Sequence, residues 1–193
     1  MKKIFTTLAI ALITLSVQAQ NVWNIDKAHS KVGFSVSHFV VSEVDGNFRT
    51  FEGTVATSKD DFSDAVFTFT IDVNSINTDN ANRDGHLKSE DFFFAEEHPQ
   101  ITFVSTGLEM NTENRYTLKG NLTMRGVTKE IELDAKYGGT INLGGGNFKA
   151  GFVIKGTLDR MEYGVAWNKK TKEGSLAVGK DIDLVIKLEL NKQ

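Results

Sequence analysis

The sequence predicts an all-β domain, an antiparallel barrel of about eight strands, and three observations support this fold class. Apolar and polar residues alternate with a period of two along most of the chain, which is typical of strands with one dry and one wet face. Turn-forming residues separate these segments at hairpin spacing. A hydrophobic content of 40% in 193 residues suits one globular domain. Eight half-apolar strands must sandwich or close, and closure removes exposed edges.

The first nineteen residues have the features of a secretory signal peptide rather than of a folded element. Lys2 and Lys3 give a positive start, and the run from Ile4 to Val17 is apolar apart from Thr and Ser residues. Small residues before the predicted cleavage point at Ala19 match what a signal peptidase reads. The alternative, a retained membrane anchor, is disfavoured because the run is short for a span of about 20 residues. We therefore expect a periplasmic or secreted domain over residues 20–193 that is not an integral membrane protein.

The predicted strands follow in order along residues 20–193. Six segments alternate clearly, and two are less regular but also predict strands. The regular segments are 32–38, 67–73, 116–124, 131–137, 148–158 and 182–190, and the irregular ones are 46–57 and 100–110. The predicted breaks between them are Asp45-Gly46, Gly138-Gly139, Gly144 to Gly146 and Gly174.

One insertion, residues 78–99, lacks the alternation. Thr78 to Asn80 offer helix-capping side chains, so a short helix is expected over residues 81–89. Three consecutive phenylalanines, Phe92 to Phe94, follow, and the chain's single proline, Pro99, ends the segment. We refer to residues 78–99 as the insertion.

The dry faces include four small residues, Gly120, Ala135, Ala150 and Gly156. Two interpretations stay open. Glycines can mark curvature in a tightly packed barrel, or small inward residues can leave an apolar lumen, since eight strands enclose just enough space for side chains or for one small ligand.

Polar residues cluster in the insertion at Arg83, Asp84 and His86. An arginine fork suits a phosphate or carboxylate, so the cluster is a candidate for the polar end of a ligand. Alternatively, it forms a network that holds the phenylalanines against the barrel. His38 shares a strand face with Phe34 and presents the same choice between a ligand contact and an interior hydrogen bond.

Composition excludes several classes of function. The absence of cysteine removes disulfide scaffolds, thiol nucleophiles and cysteine-ligated metals. A net charge of −3 argues against nucleic acid as a partner. The sequence has neither a G-x-S-x-G elbow nor a phosphate-binding glycine loop, and its four histidines lack the spacing of a metal motif. We therefore expect no metal, no cofactor and no enzymatic activity.

Taken together, the motifs resemble the YceI-like family, in one order from Trp23 to about Leu190. The matching motifs are Trp23-x-Ile25-Asp26-x-x-His29-Ser30, Phe34-x-Val36-x-His38, Gly46-x-Phe48-x-x-Phe51-x-Gly53, Ser75-Ile76-x-Thr78, Arg83-Asp84-x-His86-Leu87, Asp91-Phe92-Phe93, Pro99-x-Ile101-x-Phe103, Gly120-x-Leu122-Thr123-x-Arg125-Gly126-Val127-Thr128-Lys129 and Asp159-Arg160-x-x-Tyr163-Gly164. Two departures are Phe94-Ala95, where the family often has a polar or acidic residue, and Glu130, where proline is common.

The resemblance implies a lipocalin-like barrel that binds polyisoprenoid-type lipids and is not an established enzyme. Carried over, the ligand's polar end would lie near His38, Arg83, Asp84 and His86. The apolar tail would be surrounded by Phe34, Val36, Phe92, Phe93, Phe103, Leu122, Phe152 and Ile154.

The leading functional hypothesis is an exported carrier or sequestering protein for a long-chain isoprenoid or similar amphiphilic lipid. One alternative is a histidine-dependent metal, redox or hydrolytic enzyme of the cell envelope. Another is an accessory protein that presents lipid to a membrane or envelope protein partner.

Overall fold

The computed structural model describes residues 20–193, and the predicted signal peptide, residues 1–19, lies outside them. The described chain is mostly strand. Its elements are β1 (Asn21–Ile25), β2 (Lys31–His38), β3 (Ser42–Phe48), β4 (Phe51–Thr57), β5 (Val66–Asp72), a 3-10 turn (Val73–Ser75), β6 (Ile76–Asn77), α1 (Ala81–Lys88), β7 (Gln100–Thr112), β8 (Arg115–Met124), β9 (Val127–Asn142), β10 (Phe148–Asp159), a second 3-10 turn (Arg160–Tyr163) and β11 (Val178–Lys192).

The eleven strands form a closed antiparallel barrel of eight long strands. Three of the long strands are bent and are each split in two: β1 with β2, β3 with β4, and β5 with β6. The sheet runs β1-β4-β5-β7-β8-β9-β10-β11, and β11 returns to β1, with Trp23 opposite both Lys192 and Val55. The β2–β3 hairpin and β6 continue the same ring at its other end. The predicted eight-stranded barrel is confirmed.

Two of the four predicted glycine turns are present, and the other two positions lie inside strands. Gly144 to Gly146 and Gly174 lie in turns, as expected. Gly46, predicted as a break, lies inside β3, where the Phe34 ring on the neighbouring strand covers it. Gly138-Gly139 likewise lies inside β9, at a shift in the β9–β10 register that indicates a bulge. Gly46 allows the Phe34 ring to approach the strand, and Gly139 allows a positive φ of 102° at the bulge, so neither position reverses the chain.

The two ends of the barrel differ. At the closed end lie the chain's first described residues and the loops 58–65, 113–114 and 143–147. At the other end, which we call the mouth, lie the β2–β3 tip (residues 39–41), the insertion, the β8–β9 turn and residues 160–177.

The predicted short helix is present in the insertion. The Asn80 side chain caps α1 by accepting a hydrogen bond from the Arg83 amide at 3.0 Å. At the other end, the Ser89 hydroxyl donates to the His86 carbonyl at 2.7 Å. Neither this helix nor the 3-10 turns of residues 20–193 are long and apolar enough to span a bilayer.

Candidate ligand-binding site

The barrel encloses an apolar cavity of about 140 Å³ on the mouth side. Its wall consists of the inward half of the period-two pattern, so the alternation that forms the strands also forms the lining. The lining residues are Val32, Gly33, Phe34, Val36, Phe48, Phe67, Phe69, Ile71, Leu87, Phe92, Phe93, Ile101, Phe103, Leu118, Leu122, Met124, Ile131, Leu133, Ile154, Leu158, Arg160, Val165, Val178, Ile182, Leu184 and Ile186.

An aromatic cluster forms the floor beneath the cavity, at the closed end. Phe62, in the β4–β5 loop, is only 1% exposed. Its ring centroid lies 5.1 Å from those of Trp23 and Tyr137 and 5.3 Å from that of Phe152. Aromatic pairs at this spacing contribute about 0.5–1.5 kcal/mol each beyond their burial. The Tyr116 hydroxyl donates to a carbonyl of the same loop at 2.9 Å, so the loop is fixed as a plug.

Asp64 holds the ends of this floor loop together. Its carboxylate accepts hydrogen bonds from the Ser58 amide, the Ser58 hydroxyl and the Thr57 hydroxyl. Burial works in the opposite direction, but these hydrogen bonds outweigh it and lower the pKa of Asp64 to about 2. The loop is therefore secured by a charged carboxylate at neutral pH.

The insertion forms the roof over the mouth. Phe92 is buried and stacks on Trp167, with 5.4 Å between the ring centroids. Phe93 meets Phe48 edge-on at 6.1 Å. Arg125, in the β8–β9 turn, donates two hydrogen bonds to insertion carbonyls, one of them that of Phe92. The roof is thus attached to the rim by aromatic packing and by one arginine.

The predicted polar cluster forms a network within the insertion. Arg83 donates to the hydroxyl and carbonyl of Thr78 at 2.7 and 2.6 Å. The Asp84 carboxylate accepts from the amide and hydroxyl of the same Thr78 at 2.9 and 2.6 Å. His86 contacts the Asp91 carboxylate at 2.8 Å. These contacts tie α1 to Thr78, the residue that follows β6, and to the loop after the helix.

Arg160 is the only charged side chain among the described residues that line the cavity. It is 3% exposed, and its guanidinium donates to four backbone carbonyls, those of Val165, Trp167, Val178 and Gly179. Burial lowers its pKa below the ordinary value of an arginine. The guanidinium carbon also lies 6.0 Å from the centroid of the Phe92 ring. One arginine therefore joins the cavity wall, the mouth loop and the roof.

The four small inward residues do not line the cavity. A Cβ at Gly120 would lie 2.4 Å from Cζ of Phe103, and a Cβ at Gly156 would lie 2.4 Å from Cδ2 of Leu133. Larger neighbours therefore already occupy the space beside these glycines. The lumen is apolar as predicted, but its free volume does not lie at the small residues.

The structure gathers seven of the predicted site residues in the cavity lining: Phe34, Val36, Phe92, Phe93, Phe103, Leu122 and Ile154. Phe152 lies in the aromatic floor instead. Outside the lining are Arg83, Asp84, His86 and also His38, whose ring packs on Phe39 with 4.1 Å between centroids. A role for any of these residues in ligand binding stays a prediction.

Sequence reasoning assigned no role to Arg160 or Trp167. The position of the arginine could have been predicted. From Phe148 to Leu158 the even-numbered residues form the inward face of the strand, and Arg160 is the next even-numbered residue. Nothing in the local pattern pointed to Trp167, because it lies in an irregular loop. Its position depends on Arg160, which holds its carbonyl at 2.8 Å.

One group of side chains in residues 20–193 could supply three metal ligands: Asp26, His29 and Glu189. The ammonium group of Lys149 contacts both carboxylates. Hydrogen bonds from Lys149 and His29 hold the pKa of Asp26 well below its usual range. The cluster lies on the outside of the barrel and includes neither His38 nor His86, so the predicted histidines do not converge on it.

Comparison with known proteins places the chain in a family. A family model described as the YceI-like domain matches residues 23–190. A UPF0312 protein of Staphylococcus aureus is 38% identical over 161 residues, which cover 83% of this chain and 91% of that protein.

Solved structures share the architecture. A YCEI protein of Campylobacter jejuni is 35% identical with a TM-score of 0.70, and the match covers 88% of this chain and 96% of that one. A polyisoprenoid binding domain from Saccharophagus degradans matches with a TM-score of 0.65 at 14% identity, over 89% of this chain and 98% of that one. The second likeness bears on the fold alone. The family-model match and these relatives show that the chain belongs to the YceI-like family.

Proposed function

We propose that this protein is an exported carrier or sequestering protein that holds a long-chain isoprenoid or similar amphiphilic lipid in its barrel. The observation that carries the proposal is the cavity, whose lining is apolar apart from Arg160. The order of sequence motifs that resembles the YceI-like family supports an isoprenoid as the cargo, and a polyisoprenoid binding domain of Saccharophagus degradans has the same fold. The features of a signal peptide in residues 1–19 support export to the periplasm or beyond.

Hydrophobic burial supplies most of the affinity in this proposal. Each methylene removed from water contributes about 0.8 kcal/mol, so the affinity for an apolar chain increases with the length of chain that the cavity buries. The aromatic floor blocks the closed end, so the tail enters through the mouth. A chain longer than the cavity has to pass the roof, where Phe92 and Phe93 stand.

The polar end of the lipid stays at the mouth in this proposal. A head group there meets water and the polar side chains of the insertion, among them His86, and it avoids the cost of burial without a partner. Arg160 is the cation nearest to the tail, since it lines the cavity itself. The polar groups set the orientation of the lipid, and the apolar wall sets the affinity. The proposal includes no chemical step, so the protein acts by binding rather than as an enzyme.

The test is lipid content together with uptake. The full chain is expressed with its leader, purified without detergent, extracted with organic solvent and analysed by mass spectrometry. The delipidated protein is then titrated with a fluorescent isoprenoid. We expect one bound amphiphile per chain, and saturable uptake.

Two adjacent substitutions on β11 provide a matched pair for this test. Leu184 lines the cavity, whereas Val185 is 36% exposed on the outer face. Leu184→Trp fills the cavity and should abolish the bound lipid, while Val185→Trp should leave it unchanged. A protein that yields no lipid and takes up no isoprenoid, or a pair that behaves alike, would overturn the proposal.

A further inference from the structure

The tip of the β2–β3 hairpin exposes three consecutive hydrophobic side chains at the mouth. Phe39 is 50% exposed, Val40 69% and Val41 86%. His38, just before the tip, pairs with Val178, three residues beyond the last β11 partner of β10. The β2–β11 register shifts between Val178 and Ile182, so the reach of the hairpin is counted along β2. Val36 lies opposite Ile182, the partner of Leu158, so Val40 lies three residues past the level of Asp159, or roughly 10 Å at about 3.3 Å per residue. The tip is therefore both apolar and prominent.

The backbone of this tip is strained. Phe39 has φ 51° and Val40 φ 66°, and the Val41 amide donates to the His38 carbonyl at 3.3 Å. Positive φ at both central positions is the mark of a type I′ turn, for which Asn-Gly is the favoured pair. A β-branched residue with positive φ is an outlier. At Phe62, which also has positive φ, near-complete burial offsets the strain, but no such burial is present at the hairpin tip.

Basic residues lie beside the tip. The Phe39 amide donates to the Ala177 carbonyl, and the Ala177 amide donates to the Lys169 carbonyl, so loop 168–175 adjoins the hairpin. This loop carries Lys169, Lys170 and Lys172 against a single acid, Glu173. Within residues 20–193, none of the three lysines forms an ion pair.

The positive loop contrasts with the acidic remainder of the domain. The chain total is −3, and Lys2 and Lys3 lie before residue 20, so residues 20–193 carry −5. A local excess of lysine next to exposed apolar side chains is the combination that binds a membrane carrying anionic lipids. The strain and exposure at the tip lower the stability of the free protein, and contact of the tip with an apolar surface would offset the cost of exposure.

We propose that the hairpin tip docks on a bilayer containing anionic lipids, with residues 39–41 among the head groups and loop 168–175 over the surface. The cavity opens on the same side, since Val36 and Val178 line it close to the tip. Docking would therefore bring the mouth to the membrane, where a lipid can enter or leave. This purpose rests on the proposed function, but docking itself is measured without cargo.

The experiment is flotation of the delipidated protein with vesicles. Vesicles of equal parts phosphatidylglycerol and phosphatidylcholine are compared with pure phosphatidylcholine, at about 20 and 150 mM salt. We expect binding to the anionic vesicles that weakens with salt, because surface attraction is screened within a Debye length. Replacing the three lysines by glutamine should lower the partition coefficient by roughly fivefold for each lysine that faces the surface.

A tip variant separates docking from folding. In F39N/V40G/V41T the turn receives its favoured Asn-Gly pair, so the variant should be at least as stable as the native chain and should bind anionic vesicles at least tenfold more weakly. The matched control is I141N/L143T, which removes exposed apolar residues at the closed end and should leave vesicle binding unchanged.

The outcomes are distinct. Native chain that fails to bind anionic vesicles at low salt overturns the docking proposal and points to a protein partner at the tip. Equal binding by the native chain and the tip variant also overturns it. If the tip variant binds vesicles weakly but still takes up isoprenoid from solution, docking and cargo binding are separate properties and docking stands. If no isoprenoid is bound but vesicle binding depends on the tip, the proposed function fails and docking stands.

Discussion

A single added methyl group at Gly120 tests how the barrel wall accommodates Phe103. A Cβ at Gly120 would lie 2.4 Å from Cζ of Phe103 and 2.7 Å from the carbonyl oxygen of Val104. Ordinary carbon contacts are about 3.5–4.0 Å. The ring can swing toward the cavity, but the carbonyl belongs to β7 and moves only with the sheet. Overpacking of this kind costs about 1–3 kcal/mol, and a loss of about 2 kcal/mol lowers the Tm of a domain of this size by roughly 4–8 °C.

Gly107→Ala is the matched control on the neighbouring strand, because a Cβ at Gly107 meets nothing within 4 Å. Removing a strand glycine should even stabilise the protein by up to about 0.5–1 kcal/mol. Thermal unfolding followed by circular dichroism compares the two variants with the double variant Gly120→Ala/Phe103→Leu. The Tm of the double variant should fall by less than the sum of the decreases in the two single variants. The reason is that Phe103→Leu removes the ring atom with which the methyl group introduced by Gly120→Ala would clash. Equal Tm values for Gly120→Ala and Gly107→Ala would refute the reasoning.

Three further perturbations concern the floor and the roof. Hydrogen bonds from Ser58 and Thr57 hold the folded pKa of Asp64 near 2, below the unfolded value of 3.8. Their stabilisation is therefore complete above pH 3.8 and is lost as the pH falls through about 2; urea unfolding at a series of pH values should show this dependence in the native chain and not in Asp64→Asn. Phe62→Ala empties the centre of the floor and should cost about 3–5 kcal/mol of unfolding free energy; a cost below about 1 kcal/mol would mean that the loop is not a plug. Arg125→Met removes two hydrogen bonds to the roof, so amide exchange should accelerate in the insertion and stay unchanged in the strands, and a uniform acceleration would contradict a local role.

The barrel was predictable because its strands follow one rule. Period-two alternation identifies the strands and their inward faces, so most apolar residues of the cavity, such as Phe103 and Ile154, could be predicted from sequence alone. The bends were not predictable, because a strand that changes direction keeps its alternation. Gly46 was misread for a related reason: the ring that makes glycine necessary there comes from Phe34, on the next strand, and only the pairing register reveals it.

The polar part of the site depends on long-range geometry. Arg83 and Asp84 are close in sequence and drew attention as a cluster, but both bond to Thr78 within the same segment. Arg160 donates to two carbonyls of the irregular loop that follows it, those of Val165 and Trp167, and to two at the start of β11, up to nineteen residues away. Sequence spacing therefore indicated the local network and missed the buried cation that touches the cavity.

The roof has a consequence for how ligand preference can diverge among proteins of this fold. The wall is shared among all eight long strands, so a change there disturbs pairing on both sides. The roof, by contrast, is one continuous piece of chain between β6 and β7. It begins at Thr78, directly after β6, and ends at Pro99, directly before β7. Such a piece can be exchanged between relatives without altering any register in the barrel. Consider a chimera that receives residues 78–99 of another family member together with that member's side chain at position 125. It should keep its unfolding temperature and acquire the ligand preference of the donor protein.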